Sequence, residues 1–443
     1  MPRSHQDTNA GSAPRSLDST RRAWPVFAIV WALMVVDFVD RNIVVSMLPH
    51  LKAEWKLSDG QLGALVSVVA VTVAIGTVPL SLLADRWSRV KSVFLMAIVW
   101  SGATIACVFA VSYEQLLAAR AVVGVGEAAY GPVGAALLAS RFPARIRTGV
   151  LGAFFAASLL GSVLGMMLGG LIADRWGWQA GFGVAGLPGL LLAATFILVV
   201  REDELDVLPD ARRDGRGTWI GARAVADALL RPRTLLLACV GGALQLALVS
   251  SVFTWLPSYF HRHYGLAPDH AGVRTGIIVL LGGIGALFWS VAADRFSRAW
   301  PRARLQVSAV ASMTTAVLMG TAFAVLDPGP AQLALIVAGA IAMTGTLGPV
   351  AAVVMDVVHP SLRATASSVL ALAQNLAGLA AGPLVAGVLS DRYGLPFALS
   401  VVPLFCVLAA AVFVFAARTY ASDVEDAKVQ ERAPGEPRGS RAT

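Results

Sequence analysis

Long runs of apolar residues, separated by short polar segments, make up most of this chain. A helix needs about 20 mostly apolar residues to cross a bilayer. Runs at 24–48, 60–84, 91–111, 115–140, 147–173 and 180–200 meet that length, as do those at 234–260, 272–293, 303–326, 331–356, 365–390 and 394–417. Gly and Pro within them do not argue against helix, because neighbouring groups in a membrane bundle satisfy the freed backbone. The pattern predicts an all-α membrane protein of twelve transmembrane helices, arranged as an N-terminal six-helix bundle over 24–200 and a C-terminal one over 234–417. Residues 1–23 and 418–443 read as polar tails, the second disordered after Arg418. The 201–233 segment reads as a linker between halves. It opens on Arg201-Glu202-Asp203-Glu204, and its stretch from Trp219 to Leu230 is amphipathic, as in a helix lying on the membrane surface. A passive tether and a regulatory element both fit it. The first apolar run is followed by further spans rather than by a cleavage site, so it does not read as a cleavable signal.

A repeat underlies the pattern. The segment Ser81-Leu-Leu-Ala-Asp85-Arg86-Trp87-Ser88-Arg89 closes the second run, and Ser290-Val-Ala-Ala-Asp294-Arg295-Phe296-Ser297-Arg298 closes the eighth. The fifth and eleventh end on Gly170-Leu-Ile-Ala-Asp174-Arg175-Trp176-Gly177 and Gly387-Val-Leu-Ser-Asp391-Arg392-Tyr393-Gly394. Asp-Arg-aromatic therefore marks equivalent corners of four three-helix units. Two of these corners fall on each side of the membrane, as an inverted repeat within each half requires. Transporters built this way hold substrate near the midplane, between the halves.

Charge orients the chain. Of the 35 Lys and Arg residues, 27 fall in segments that an N-terminus-inside topology places in the cytoplasm, against 6 outside. This is the positive-inside bias, and it places both termini in the cytoplasm of a multi-pass protein of the cell (plasma or inner) membrane. Only 14% of residues are charged while 57% are hydrophobic, against about 25% charged in soluble domains. The net charge of +8 is spread over short loops without interleaved aromatics, which argues against a nucleic-acid partner. Cys107, Cys239 and Cys406 sit inside apolar runs and read as small buried hydrophobes. The sequence has no phosphate-binding loop and no metal-ligand spacing, so it predicts no enzyme, no catalytic residues, no metal and no cofactor.

Charges inside spans are costly and therefore point to function. The first span carries Asp37, Asp40 and Arg41 on one face, and the fourth carries Arg120 and Glu127 on one face. At 1.5 Å of rise per residue, Asp37 lies roughly 17 Å and Glu127 about 18 Å from the outer end of its span. Both are thus near the midplane, with Asp40 and Arg41 roughly level with Arg120. These five form the candidate proton-coupling site, with Glu127 and Asp40 as the proton-linked pair and the arginines tuning them. The alternative is a static ion-pair network. The C-terminal half offers Gln245, Trp255, Tyr259, Gln374 and Asn375 instead, which with Tyr130 are candidate substrate contacts. Trp255 and Tyr259 equally fit interfacial anchors, and the amides equally fit bonds between helices. Asp85, Arg86, Arg89, Asp294 and Arg295 are candidate gating residues. An acid at such a corner can sit at the N-terminus of a helix of the opposite half. The same residues could serve only as topological anchors.

Ser81–Lys91 resembles the signature loop of the major facilitator superfamily, with Asp85, Arg86 and Lys91 matching and Ser81 and Ser88 in place of two glycines. Arg120-x-x-x-Gly124-x-Gly126 resembles the fourth-helix motif of that superfamily. Within it, Asp40-Arg41, Gly124-Val-Gly126-Glu127-Ala-Ala-Tyr130, Gly177-Trp178-Gln179-Ala180-Gly181-Phe182 and Arg363-Ala364-Thr365-Ala366 resemble the spinster-like transporters. The resemblance implies the major facilitator fold. It also implies secondary active transport by alternating access of a small organic, amphipathic or lipid-like solute, coupled to protons. The implied partners are that solute, protons and the lipid bilayer, with the protein expected to act as a monomer. An organic anion/proton symporter of the same superfamily is the nearest alternative, and a non-transporting membrane sensor is the alternative of another class. Antiporters of the superfamily often carry Gly-Pro in the fifth span. Here Met166 holds the proline place and Gly382-Pro383 appears in the eleventh, so symport and antiport both remain open.

Overall fold

A computed structural model describes residues 15–200, 231–300, 302–359 and 362–432. Twelve helices in it are long and apolar enough to span a membrane. They are α1 (Ala23–Trp55), α2 (Asp59–Ala84), α3 (Arg89–Val108), α4 (Tyr113–Arg141), α5 (Arg145–Trp176) and α6 (Trp178–Val199). The second six are α7 (Arg233–Tyr264), α8 (Pro268–Ser297), α9 (Ala303–Ala324), α10 (Pro330–Asp356), α11 (Thr365–Tyr393) and α12 (Leu395–Ala427). Among the described residues there is no strand. All twelve apolar runs become helices, most with ends a few residues beyond those expected. Residues 201–230, including the amphipathic stretch, lie outside the described residues.

The helix ends follow local chemistry. Ser58 caps α2 by accepting the Gln61 N–H, while the Gln61 side chain returns to the Ser58 N–H in a reciprocal capping box. Ser88 and Ser112 cap α3 and α4 by accepting the Lys91 and Gln115 N–H groups. At Gly177 φ is +84°, a conformation that lets α5 turn directly into α6. Gly394 does the same between α11 and α12 at φ +86°. The repeat seen in sequence therefore turns two corners by one device.

Four spans depart from plain α-helix. A two-residue turn follows Glu127 in α4, a three-residue turn breaks α10 at 344–346, Gln374–Ala380 of α11 forms a π-helical stretch, and a two-residue turn interrupts α12 at 402–403. The last helix also continues past its expected end at 417 to Arg432, where the sequence pattern predicts a disordered tail. Tertiary bonds hold the extension. Tyr420 donates to Asp356 at 2.9 Å, and the Asp423 carboxylate accepts the Thr234 N–H at 2.8 Å at the start of α7.

Two opposite ends of the molecule differ in how the halves meet. At the end where odd-numbered helices connect onward, one apolar core runs across both halves and includes Met47, Trp178, Trp255, Phe260 and Ala271. At the end bearing the even-numbered connections, the N-terminal half keeps its own core around Trp100, Phe142 and Phe154. The C-terminal half keeps another there around Val353, Phe413 and Tyr420. The halves touch mainly through α2 against α11 and α5 against α8, pairs related by the internal symmetry. The molecule is therefore joined at its odd-loop end and parted at the other.

Candidate functional site

A cavity of about 710 Å³ lies between the halves. Most of its wall is aliphatic or aromatic, from α1, α2, α4, α5, α7 and α11, including Val69, Phe38, Phe155 and Phe253. Asp37, Arg41, Arg120 and Glu127 supply its charged wall, all from the N-terminal half. The residues of the C-terminal half that line it bring hydroxyls and one amide, including Ser250, Thr254 and Asn375, and no ionisable group. Concave, largely apolar pockets with a few convergent polar groups are the usual form of small-molecule sites.

The five in-span charges predicted from sequence come together, in two groups. Arg41 Nε lies 3.4 Å from Asp37 Oδ2, one turn away, and 2.9 Å from Glu127 Oε2 on α4. The Arg41 N–H is not aligned on Glu127, so this is a close charge contact rather than a hydrogen bond. The Arg41 guanidinium also stands over the Phe38 ring at 5.2 Å. Arg120 Nη1 donates to Asp40 twice, to the backbone oxygen at 3.3 Å and to Oδ1 at 3.5 Å. Thr104 donates to the other Asp40 oxygen at 2.7 Å. Asp37, Asp40, Arg120 and Glu127 are each 2% exposed or less. The partition differs from the expected pairing of Glu127 with Asp40. Glu127 is grouped with Asp37 through Arg41 on the cavity wall, while Asp40 is held by Arg120 and Thr104 and does not line the cavity.

The close approaches of α4 to α2 and of α5 to α1 rest on small residues. A Cβ on Gly124 would collide with the Thr72 hydroxyl and the Val69 backbone. Gly161, Gly165 and Gly169 press against the α1 carbonyls of Val35, Val39 and Ile43. Helices pack this closely in membranes where small residues repeat every fourth position.

Of the candidate substrate contacts, Asn375 lines the cavity, with its Nδ2 spent on Ala371 O at 2.8 Å. The others are not among the lining residues. Tyr130 donates to Val30 O at 2.6 Å and packs edge-on to Trp100. Gln245 donates to Met343 O. Trp255 is buried and donates to Pro383 O at 3.0 Å, and buried Tyr259 accepts from Gln332. Burial removes both from the lipid interface. Gln374 opens the π-helical stretch of α11, beside Gly242 of α7.

The gating candidates divide similarly. The Asp85 side chain lies outside the described residues, and Arg86 and Arg295 are exposed. Arg89 starts α3. Asp294 accepts from Arg304, which also bonds Asp356, so among the described residues its bonds are made within its own half. The arrangement anticipated for Asp85 occurs at its repeats. Asp391 accepts the Asp59 and Gly60 N–H groups at 2.6 and 2.7 Å, capping α2 of the opposite half. Asp174 accepts the Asp269 N–H at 3.0 Å at the start of α8, and His50 sits 2.7 Å from its other oxygen. Beside them, buried Asp59 receives both terminal nitrogens of Arg262, plus Lys52 and Ser390. This latch went unassigned in the sequence. The recurrence of Asp-Arg-aromatic at all four corners was its signal.

Comparison with known proteins now decides the family. The Major Facilitator Superfamily model matches residues 30–382. The chain belongs to that superfamily. Within the superfamily it is 28% identical to an MFS-type efflux pump of Mycolicibacterium smegmatis, over 84% of this chain and 85% of that one. It is 26% identical to Protein spinster homolog 1 of Xenopus laevis, over 84% of this chain and 74% of the relative. A crystal structure of a bacterial homologue of the human lysosomal transporter Spinster, inward-facing and unoccupied, shares the fold with a TM-score of 0.82. It is 22% identical and covers 93% of this chain and 99% of that one. The protein is thus a multi-pass transporter of the superfamily rather than an enzyme, and it is similar in sequence to the spinster proteins.

Proposed function

We propose that the protein is a secondary carrier. It moves a small, mostly apolar or amphipathic organic solute by alternating access, with protons as the coupling ion. The observation that carries this reading is the burial of Asp37 and Glu127, with half-buried Arg41 between them, in the wall of a solute-sized cavity between the halves. Ionisable groups inside a membrane are expensive to bury, and stability alone explains them poorly. In a low-dielectric wall, protonation of a carboxylate is sensitive to water access and to the distance of a neighbouring guanidinium. Rocking of the halves changes both. In this reading Glu127 and Asp37 carry the proton, Arg41 sets their affinity for it, and Asp40 with Arg120 fixes the position of α1 against α4.

The positive-inside bias supports a cytoplasmic even-loop end, which makes the described conformation open to the cytoplasm and latched outside. The two six-helix halves, 24–200 and 234–417, are the rocking bodies, with 201–233 as their cytoplasmic tether. Asp391 and Asp174 release the helix N-termini they cap when the outer end opens. Asp85 and Asp294 play the matching part at the inner end. The purified protein should be screened by thermal shift against lysolipids, aromatic acids and sugars. The stabilising solute should then show counterflow in proteoliposomes. Binding without counterflow would instead mark a non-transporting sensor.

A further inference from the structure

The break in α4 leaves one carbonyl without its helical partner. Pro132 has no N–H to give to Ala128 O, four residues back. The first part of α4 closes there on a tight turn, with the Ala128 N–H on Val125 O, and a new helical segment starts at Tyr130. Glu127 is the last residue before the turn. Prolines elsewhere, such as Pro79 and Pro257, sit inside unbroken helices, so this break becomes legible only with its surroundings. The orphaned Ala128 oxygen finds its donor on another helix. Thr77 Oγ1 of α2 lies 2.7 Å from it. The same hydroxyl lies 2.6 Å from Val73 O, one turn back on α2. A hydroxyl has one proton to donate, so Thr77 either holds the α4 carbonyl or returns its proton to its own helix.

The C-terminal half repeats the break. Gly131-Pro132-Val133 recurs as Gly348-Pro349-Val350, in the register of the repeat that ends the fifth and eleventh spans. In that register Thr344, at the break of α10, holds the place of Glu127. Thr344 Oγ1 donates to Gly282 O of α8 at 2.7 Å. A hydroxyl therefore ties the fourth helix of each half to the second at the break, and the N-terminal half alone puts an acid there.

We propose that Thr77 is a positioning residue for Glu127. By holding the Ala128 carbonyl it fixes the turn from which the Glu127 side chain leaves α4, and with it the distance of that carboxylate from Arg41. When the proton of Thr77 turns back to Val73 O, the turn is released without leaving the hydroxyl unpaired. Thr77, Ala128 and Glu127 all line the cavity. The role rests on the carrier reading above, in which Glu127 binds the coupling proton. The charged groups facing Glu127 are Asp37, Asp40 and Arg41 from α1 and Arg120 from α4. Tyr130 of α4 donates to Val30 O, and the Cys107 thiol on α3 bonds Ala103 O. The lining residues of α2, α5, α7 and α11 add no ionisable side chain. Thr77 is uncharged, so replacing it acts on the carboxylate through geometry.

Infrared titration of the purified full-length protein tests this without a cargo. The carbonyl stretch of protonated Glu127 is the band that Glu127→Gln removes. Thr77→Val keeps the shape of the side chain and removes the hydroxyl. It should raise the pH midpoint of that band by about half a unit or more, since a carboxylate farther from a guanidinium holds its proton more tightly. Thr77→Ser should restore the wild-type midpoint. Thr72 Oγ1 donates to Val68 O and Val69 O of its own helix, so Thr72→Val serves as a control expected to leave the midpoint in place. Thermal unfolding of each variant reports whether it is folded. If Thr77→Val does not fold, Thr77→Cys, a weaker donor, takes its place and should shift the midpoint in the same direction. An unchanged midpoint in the folded variant, or one that Thr77→Ser fails to restore, overturns the proposal and leaves the proton reading standing. If Glu127→Gln removes no band that titrates, the proton reading itself falls, and the positioning role with it.

Discussion

At the scale of single residues, the site was visible because charge is rare in membrane spans. Asp37, Asp40, Arg41, Arg120 and Glu127 stand out in apolar runs, and helical spacing puts each set on one face. Spacing along one helix does not reveal which side chain of another helix it meets, so the grouping of Glu127 with Asp37 emerged only in three dimensions. Thr104, which holds Asp40, gave no signal, since threonine is common in apolar helices and bonds its own backbone there. Tyr130, Gln245 and Trp255 stand out in sequence by polarity, but each spends its donor on a carbonyl of another segment. The Asp40–Arg120 pair makes a sharp prediction. Removing one partner of a buried pair strands the other, at about 3–5 kcal/mol. Arg120→Gln should therefore lower the thermal unfolding temperature in detergent strongly. Adding Asp40→Asn to it should recover part of the loss. Equal and additive losses would mean that the two groups do not act as a pair.

At the scale of elements, all twelve spans were readable from run length, while their interruptions were not. The turn after Glu127, the break at 344–346 and the π-helical stretch of α11 lie in sequences as apolar as their surroundings. The continuation of α12 to Arg432 depends on Tyr420 and Asp423 finding partners on α10 and α7, which composition cannot show. The glycine stripe of α5 was legible as spacing, and the structure explains it as contact with α1. A Cβ at Gly165 would stand 2.6 Å from Val39 O, whereas one at Gly152 would meet nothing within 4 Å. Gly165→Ala should cost about 1–3 kcal/mol by overpacking and lower the unfolding temperature. Gly152→Ala on the same helix should leave it nearly unchanged. Equal effects would separate the stripe from packing.

At the scale of the molecule, the repeat foretold the two halves and the four corners, but not which corners are engaged in this conformation. Topology can be read at the α7–α8 connection. Cys107, Cys239 and Cys406 are buried, so Ala267→Cys provides a clean label on an exposed residue. An impermeant maleimide should modify it on intact cells; modification only after permeabilisation would reverse the topology. The latch is tested across the same end. Hydrogen bonds to charged groups contribute about 1.5–3 kcal/mol each, and a few kcal/mol moves a two-state population by tenfold or more. With spin labels at exposed Val111 and Val325, on opposite halves, Asp391→Ala combined with Asp174→Ala should add a population at longer distance. An unchanged distance distribution would mean that the helix caps do not hold that end shut.

The measurement closest to the central claim concerns the buried carboxylates. In proteoliposomes given an imposed pH gradient, wild type should concentrate the solute found by the thermal-shift screen. Glu127→Gln keeps the shape of the side chain but fixes it neutral. It should fail to respond to the gradient while still supporting counterflow at equal pH, and Asp37→Asn should weaken the response. If both variants concentrate the solute at the wild-type rate, the carboxylates on the cavity wall carry no coupling proton and the account is contradicted.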